Sequence, residues 1–168
     1  DVKKNALDDG PGIRSVVFFK GCPLSCVWCQ NPEAVSPRPE LQVLSDCCIG
    51  CGRCVDACPD QVARPAGEPQ LRADCRICGA CVEVCPASGR RLVGELHDLD
   101  ALVEALARDE PFYRRSGGGV TLSGGEPTAQ MEFLLPFLEG CRERGLGAAV
   151  AKGFADHRGL MWMLAGHG

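Results

Sequence analysis

The sequence has no apolar run long enough to cross a membrane and no leader of basic then apolar residues. It is therefore expected to be a soluble, cytoplasmic protein with no membrane partner. A basic excess is also missing: 18 Lys and Arg stand against 22 Asp and Glu, for a net charge of −4. Phosphate binding needs a basic face, so no nucleic acid is expected as partner. The three histidines, His97, His157 and His167, have no ligand-type residues in view and read as surface or loop positions. The first residue is Asp1, not Met, and the native start is expected upstream of it. A composition of 45% hydrophobic and 24% charged residues excludes disordered and collagen-like chains.

Cysteine is what the sequence has in excess, 13 in 168 residues. Eleven fall into three groups: Cys22-x3-Cys26-x2-Cys29, Cys48-x2-Cys51-x2-Cys54-x3-Cys58-Pro59 and Cys75-x2-Cys78-x2-Cys81-x3-Cys85-Pro86; Cys47 and Cys141 remain. A disulfide scaffold would spread its cysteines over many loops of a secreted chain. Zinc would favour two separated C-x2-C pairs. The two runs of four ending in Cys-Pro instead have the spacing of bacterial two-cluster ferredoxins. In that pattern three thiolates wrap one corner of a 4Fe–4S cube and the fourth serves the other cube. Cys48, Cys51, Cys54 and Cys85 would then hold one cluster, and Cys75, Cys78, Cys81 and Cys58 the second. Cys47 competes with Cys48, though the x2 register favours Cys48.

The triad at Cys22 has no fourth cysteine. One iron of a cluster held there would have no protein ligand, and an open position is how a metal centre takes a substrate. Ser123-Gly-Gly-Glu-Pro127 is a second glycine-rich element, where backbone groups are unshielded. A strand-end turn explains GGEP alone equally well.

Hydrophobic patterning places these motifs. Ser15–Phe19 reads as a buried strand leading into the triad, and residues 34–45 as a proline-containing connector. The two four-cysteine runs form an internal repeat within 46–90. Asp98 or Asp100 caps a helix whose inner face carries Leu99, Leu102, Val103 and Leu106, and Pro111 with glycines 117–119 ends that unit. Val120–Leu122 is a strand running into GGEP. A helix from about Ala129 to Arg144 follows, interrupted by Pro136, and then a strand over Leu146–Ala151. This is α/β order with a parallel sheet and right-handed crossovers. A βα unit takes roughly 30 residues, so the roughly 120 residues outside 46–90 hold about three to four units, too few to close a barrel.

Gly10-x-Gly12-x-Arg14-x3-Phe18-x2-Gly21-Cys22-x3-Cys26-x2-Cys29, with GGGVTLSGGEP at 117–127, resembles the radical S-adenosylmethionine enzymes. More narrowly, it resembles the glycyl-radical enzyme activating proteins that carry a two-cluster ferredoxin insert between triad and GGEP. The resemblance implies an α/β fold: an incomplete parallel (β/α) barrel of the radical S-adenosylmethionine type with an inserted ferredoxin-like α+β domain. The expected divisions are 1–45 for the start of the barrel with the first cluster loop, 46–90 for the insert and 91–168 for the truncated continuation.

By the same resemblance, three 4Fe–4S clusters are expected, and S-adenosylmethionine is the missing ligand of the triad cluster at Cys22, Cys26 and Cys29. Trp28 would lie beside the adenine, unless it is a core aromatic, and Gln30 would contribute to the cosubstrate site. Gly124, Gly125 and Glu126 would form the edge that binds the methionine amino group. Arg14 and Asp9 match the family pattern, with a turn and a surface ion pair as the plain alternatives. The implied activity is reductive cleavage of S-adenosylmethionine to methionine and a 5′-deoxyadenosyl radical, which takes hydrogen from a glycine of a glycyl-radical enzyme. Flavodoxin or a ferredoxin would donate electrons through the insert, whose plain alternative is a structural staple. Ala149-Val-Ala-Lys-Gly153 departs from the family, which has an acid followed by Thr there, and ADHRGLMWMLAGHG only faintly continues the family helix. The competing function is an electron-transfer ferredoxin-like remnant that does not cleave S-adenosylmethionine.

Overall fold

The computed structural model describes residues 1–68, 74–152 and 161–164. His157 and His167 lie outside the described residues, as does most of the sequence beyond Lys152. The chain forms two compact units, one of residues 1–38 with 96–168 and one of residues 39–95.

The first unit is a mixed α/β layer. Its sheet has the order β1-β2-β5-β6-β7, with strands at Val2–Ala6, Arg14–Phe19, Gly119–Gly124, Ala148–Lys152 and Met161–Leu164. The three central strands are parallel, in line with the α/β order read from the sequence. Both edges differ from that reading. β1 runs antiparallel to β2, and β7 antiparallel to β6, so Met161–Leu164 is a strand and not part of a helix. Apolar Val16, Val17, Val120 and Leu122 are buried on both faces of the centre, as parallel strands require.

One face of the sheet packs against helices α3 (Leu99–Ala107) and α5 (Met131–Glu143). Val17, Phe19, Val120, Leu122 and Val150 meet Leu102, Val103, Leu106, Leu134, Phe137 and Cys141 there. Asp98 caps α3 by accepting from the Ala101 amide at 3.0 Å. Pro136 sits within α5, which begins five residues before it and continues through it. Pro111 does not end the helical unit: it occupies the first turn of a further helix, α4 (Glu110–Ser116), where a missing N–H costs nothing.

α4 brings the Tyr113 hydroxyl to 2.7 Å from Ser15 Oγ in the buried layer. Burial raises the Tyr113 pKa, and the bond to Ser15 pulls against it. Tyr113→Phe leaves a buried Ser hydroxyl short of a partner, so an expected loss of about 1–2 kcal/mol follows, read from the urea midpoint at unchanged m-value.

Arg14 is 3% exposed at the start of β2, so it is not part of a surface ion pair. Its Nε donates to Thr121 Oγ1 at 2.5 Å and its Nη2 to the Val120 carbonyl at 2.7 Å. Burial lowers its pKa. Asp9, in contrast, pairs with Lys3 at 3.7 Å at the surface.

The second unit is built on a two-stranded antiparallel sheet, β3 (Glu40–Val43) with β4 (Arg90–Val93), in which Val43 faces Arg90. Between these strands lie two single-turn helices, α1 (Arg53–Asp56) and α2 (Ala80–Glu83). The sequence repeat is also a backbone repeat. Positive φ recurs at equivalent positions, Gly50 with Ile77, Gly52 with Gly79 and Gln61 with Ser88. Each helix buries the third cysteine of its run, Cys54 or Cys81.

Candidate iron–sulfur centres

The triad occupies the loop that leaves the C-terminal end of β2, and GGEP leaves the same end of β5. The parallel register that pairs Phe18 with Ser123 and Phe19 with Gly124 brings the two together. Backbone hydrogen bonds continue past the strands. The Gly125 amide donates to the Phe19 carbonyl at 2.8 Å and the Glu126 amide to the Gly21 carbonyl at 3.1 Å. Gly21 and Cys22 in turn donate to Ala34 and Val35 at 2.7 and 2.9 Å, which closes the triad loop at its base. Gln130 Nε2 donates to the Lys20 carbonyl at 2.9 Å and ties the same base to the next turn.

Two glycines are needed for this approach. A Cβ on Gly124, whose φ is +89°, would lie 2.6 Å from the Phe19 carbonyl oxygen, and one on Gly125 would lie 2.4 Å from that of Gly21. The space a side chain would fill is therefore taken by the chain's own backbone. Glu126 is largely buried, and its Oε1 accepts from the Thr128 amide at 3.2 Å and the Thr128 hydroxyl at 2.5 Å, capping the turn Pro127–Gln130.

Beyond Cys22 the loop is open. Cys22 is half-buried, while Cys26 and Cys29 are exposed, as is Gln30. Trp28 is 77% exposed, so the alternative of a core aromatic does not hold. With Val27 at 84%, it leaves two large apolar side chains uncovered beside the triad.

In the second unit the four-cysteine runs sort into two cavities. One, of about 150 Å³, is lined by Cys58, Cys75, Cys78 and Cys81 together with apolar Leu41, Val43, Val62, Ile77 and Leu92. The other is lined by Cys48, Cys51, Cys54 and Cys85 with Val43, Ile49 and Arg90. Each cavity takes three cysteines from one run and the fourth from the other. Cys47 is exposed and is absent from both linings. A single zinc would draw its sulfurs to within about 3.8 Å of one another, given Zn–S bonds near 2.3 Å. Among the described residues no three Cys, His, Asp or Glu converge in that way. Four cysteines spread round the wall of each cavity are a donor set suited to a cage with thiolates at its separate corners.

Local fields differ from cysteine to cysteine. Backbone amides of Ala66 and Gly50 lower the Cys48 pKa, with a smaller contribution from Arg90. Burial raises that of Cys81, against which Arg90 pulls. Cys141, in the core of the first unit, is pushed up to about 11 by burial, which makes it an inert core thiol. Arg90 was not singled out in the sequence. The signal that finds it is the repeat itself: 27 residues earlier the equivalent position is Ala63.

A family model described as a 4Fe-4S dicluster domain matches residues 47–89, which supports 4Fe–4S cluster binding by this unit. Over most of its length the chain is similar to several activating enzymes. It is 41% identical to the benzylsuccinate synthase activating enzyme of Thauera aromatica, over 89% of this chain and 47% of that protein. It is 41% identical to the choline trimethylamine-lyase activating enzyme of Oleidesulfovibrio alaskensis, over 96% and 54%. It is 44% identical to the trans-4-hydroxy-L-proline dehydratase activating enzyme of Clostridioides difficile, over 89% and 51%. The chain spans about half the length of the curated relatives it matches. No helix among the described residues is long and apolar enough to cross a membrane.

Proposed function

Given a chain that resembles activating enzymes along most of its length, we propose that it is part of a glycyl-radical enzyme activating enzyme of the radical S-adenosylmethionine type. The observation that carries this reading is the joining of the triad loop to GGEP at the ends of two adjacent parallel strands, in a chain that also holds the dicluster unit. Cys22, Cys26 and Cys29 would hold a 4Fe–4S cluster, three thiolates leaving a position for a cosubstrate. Cys48, Cys51, Cys54 and Cys85 hold a second, and Cys58, Cys75, Cys78 and Cys81 a third. A cluster bound at the triad would supply the electron for reductive cleavage of S-adenosylmethionine, the chemistry needed to take hydrogen from a glycine of a partner enzyme.

The chain's own residues position this chemistry. The amides of Gly125 and Glu126 are committed to Phe19 and Gly21, so they fix the edge of the site and do not themselves meet the ligand. The methionine amino group needs acceptors, not donors, so this use of the amides is compatible with its binding along the Gly124–Glu126 edge. The Glu126 carboxylate holds the turn in place through Thr128. Trp28, exposed beside the third cysteine, offers a flat apolar face for the adenine. Gln30 borders the same loop. The dicluster unit relays electrons from flavodoxin or a ferredoxin in the cytoplasm, and the partner is a glycyl-radical enzyme.

The test is anaerobic reconstitution with iron and sulfide, dithionite reduction and addition of S-adenosylmethionine. Formation of 5′-deoxyadenosine is the expected result. Full cluster loading without this product would overturn the reading in favour of an electron carrier.

A further inference from the structure

The dicluster unit repeats its backbone closely, and a faithful repeat would give its two clusters nearly the same surroundings. The repeat is broken at one buried position. Ala63 and Arg90 are 27 residues apart in register, and both are 5% exposed, but one is apolar and the other a guanidinium. They also line opposite cavities: Ala63 the one with Cys58, Cys75, Cys78 and Cys81, and Arg90 the one with Cys48, Cys51, Cys54 and Cys85.

From its own cavity Arg90 reaches the other set of ligands. Its Nη1 donates to Cys81 Sγ at 3.9 Å, a sulfur contact, and its Nη2 donates to the Arg64 carbonyl, which fixes the plane of the fork. Arg64 in turn spends its Nη1 on the carbonyls of Gln61 and Ala63, at 2.8 and 2.7 Å. Arg90 is thus held rigidly, buried and charged, between two groups of thiolates.

We propose that Arg90 is a positioning residue for electrons: it raises the reduction potentials of both clusters of this unit and sets them unequal. This inference rests on the reading of these eight cysteines as two 4Fe–4S sites. Reduction adds one electron to a cluster and makes it more negative, with no bond formed and no proton moved. A fixed positive charge and an N–H···S bond both favour the reduced form, and charge and hydrogen bonds to sulfur are what set such potentials. The Cys58/Cys75/Cys78/Cys81 cluster receives the direct hydrogen bond, while the other receives the charge alone. Alanine at the equivalent place gives nothing to either. The inequality gives the pair a direction: an electron comes to rest on the cluster of higher potential.

The test is a potentiometric titration with dithionite, followed by electron paramagnetic resonance. Arg90→Lys and Arg90→Met are compared with the parent, all in a Cys22→Ala background that removes the triad signal. Arg90→Met keeps much of the volume without charge or donor; Arg90→Lys keeps charge without the fork. The expected order of potentials is parent, then Arg90→Lys, then Arg90→Met, with the gap between the two clusters narrowest in Arg90→Met. Unchanged potentials at full iron content overturn the inference and leave the cluster reading intact. A parent that holds no clusters in this unit overturns both. Should Arg90→Met lose its iron, Arg90→Lys decides: lowered potentials support the proposal, and parental ones show that Arg90 serves the fold alone.

Discussion

Cys22→Ala is expected to abolish 5′-deoxyadenosine formation while leaving the dicluster unit loaded. Iron should fall from about twelve to about eight per chain, the loss of one four-iron cluster out of three. The physical basis is the separation of roles. Cys22 is the triad residue nearest the body of the fold, its amide held by the Val35 carbonyl, whereas Cys26 and Cys29 stand in the open part of the loop. Removing its thiolate would leave only two protein ligands, too few to retain the cluster. The eight cysteines of the two four-cysteine runs belong to the other compact unit, residues 39–95, and line their own cavities. Reduction of the remaining clusters by dithionite should therefore be unaffected. Iron determination and product assay on the same sample check both halves. Undiminished product in the variant would sink the radical reading, whereas an electron carrier would show no product in either protein.

The grouping of the cysteines was legible in the sequence because spacing is a local property. An x2 spacing puts successive thiolates round one corner, and the crossed fourth ligand follows from the repeat; the two cavity linings group the cysteines in that way. The central strands were legible as apolar runs buried on both faces. The edges were not. β1 is VKKNA, with three of its five residues exposed, so its alternation is lost among charges. β3 lies in a stretch read as a proline connector, and its partner β4 follows the last cysteine run 47 residues after Val43. Pairing at that distance leaves no local pattern. Pro111 reads as a stop because proline cannot continue a helix, yet the same residue suits a first turn, and only the chain beyond it decides between the two. The GGEP glycines carry a packing demand that the sequence does not display beside their reading as backbone open to a small ligand. What decides it is the parallel neighbour, whose carbonyls occupy the Cβ positions. Such a contact joins residues about a hundred positions apart.

That contact makes Gly125→Ala the second large effect. Its Cβ would sit 2.4 Å from the Gly21 carbonyl oxygen and 3.1 Å from that of Ala34, both backbone atoms, so no side chain can swing away. The strand end or the triad loop must move. The bonds at risk are Gly125 to Phe19, Glu126 to Gly21 and Gly21 to Ala34, which together set where Cys22 lies relative to GGEP. A displacement of about 1 Å in a positioned site costs about 10²-fold in rate, so 5′-deoxyadenosine formation should fall by about that factor or more. Stability of the first unit should fall by about 1–3 kcal/mol, the usual range for a single disruptive substitution. Cluster content separates the two causes. If the loop has moved in a folded protein, the iron content stays near the parental value while S-adenosylmethionine no longer perturbs the triad's resonance signal. If the unit has unfolded, four irons are lost and the urea transition of the first unit disappears. Parental activity in this variant would show that the close approach of Gly125 to Gly21 does not position the site. The dicluster signals should persist in every case, because their ligands lie on a unit that folds round its own sheet, β3 with β4.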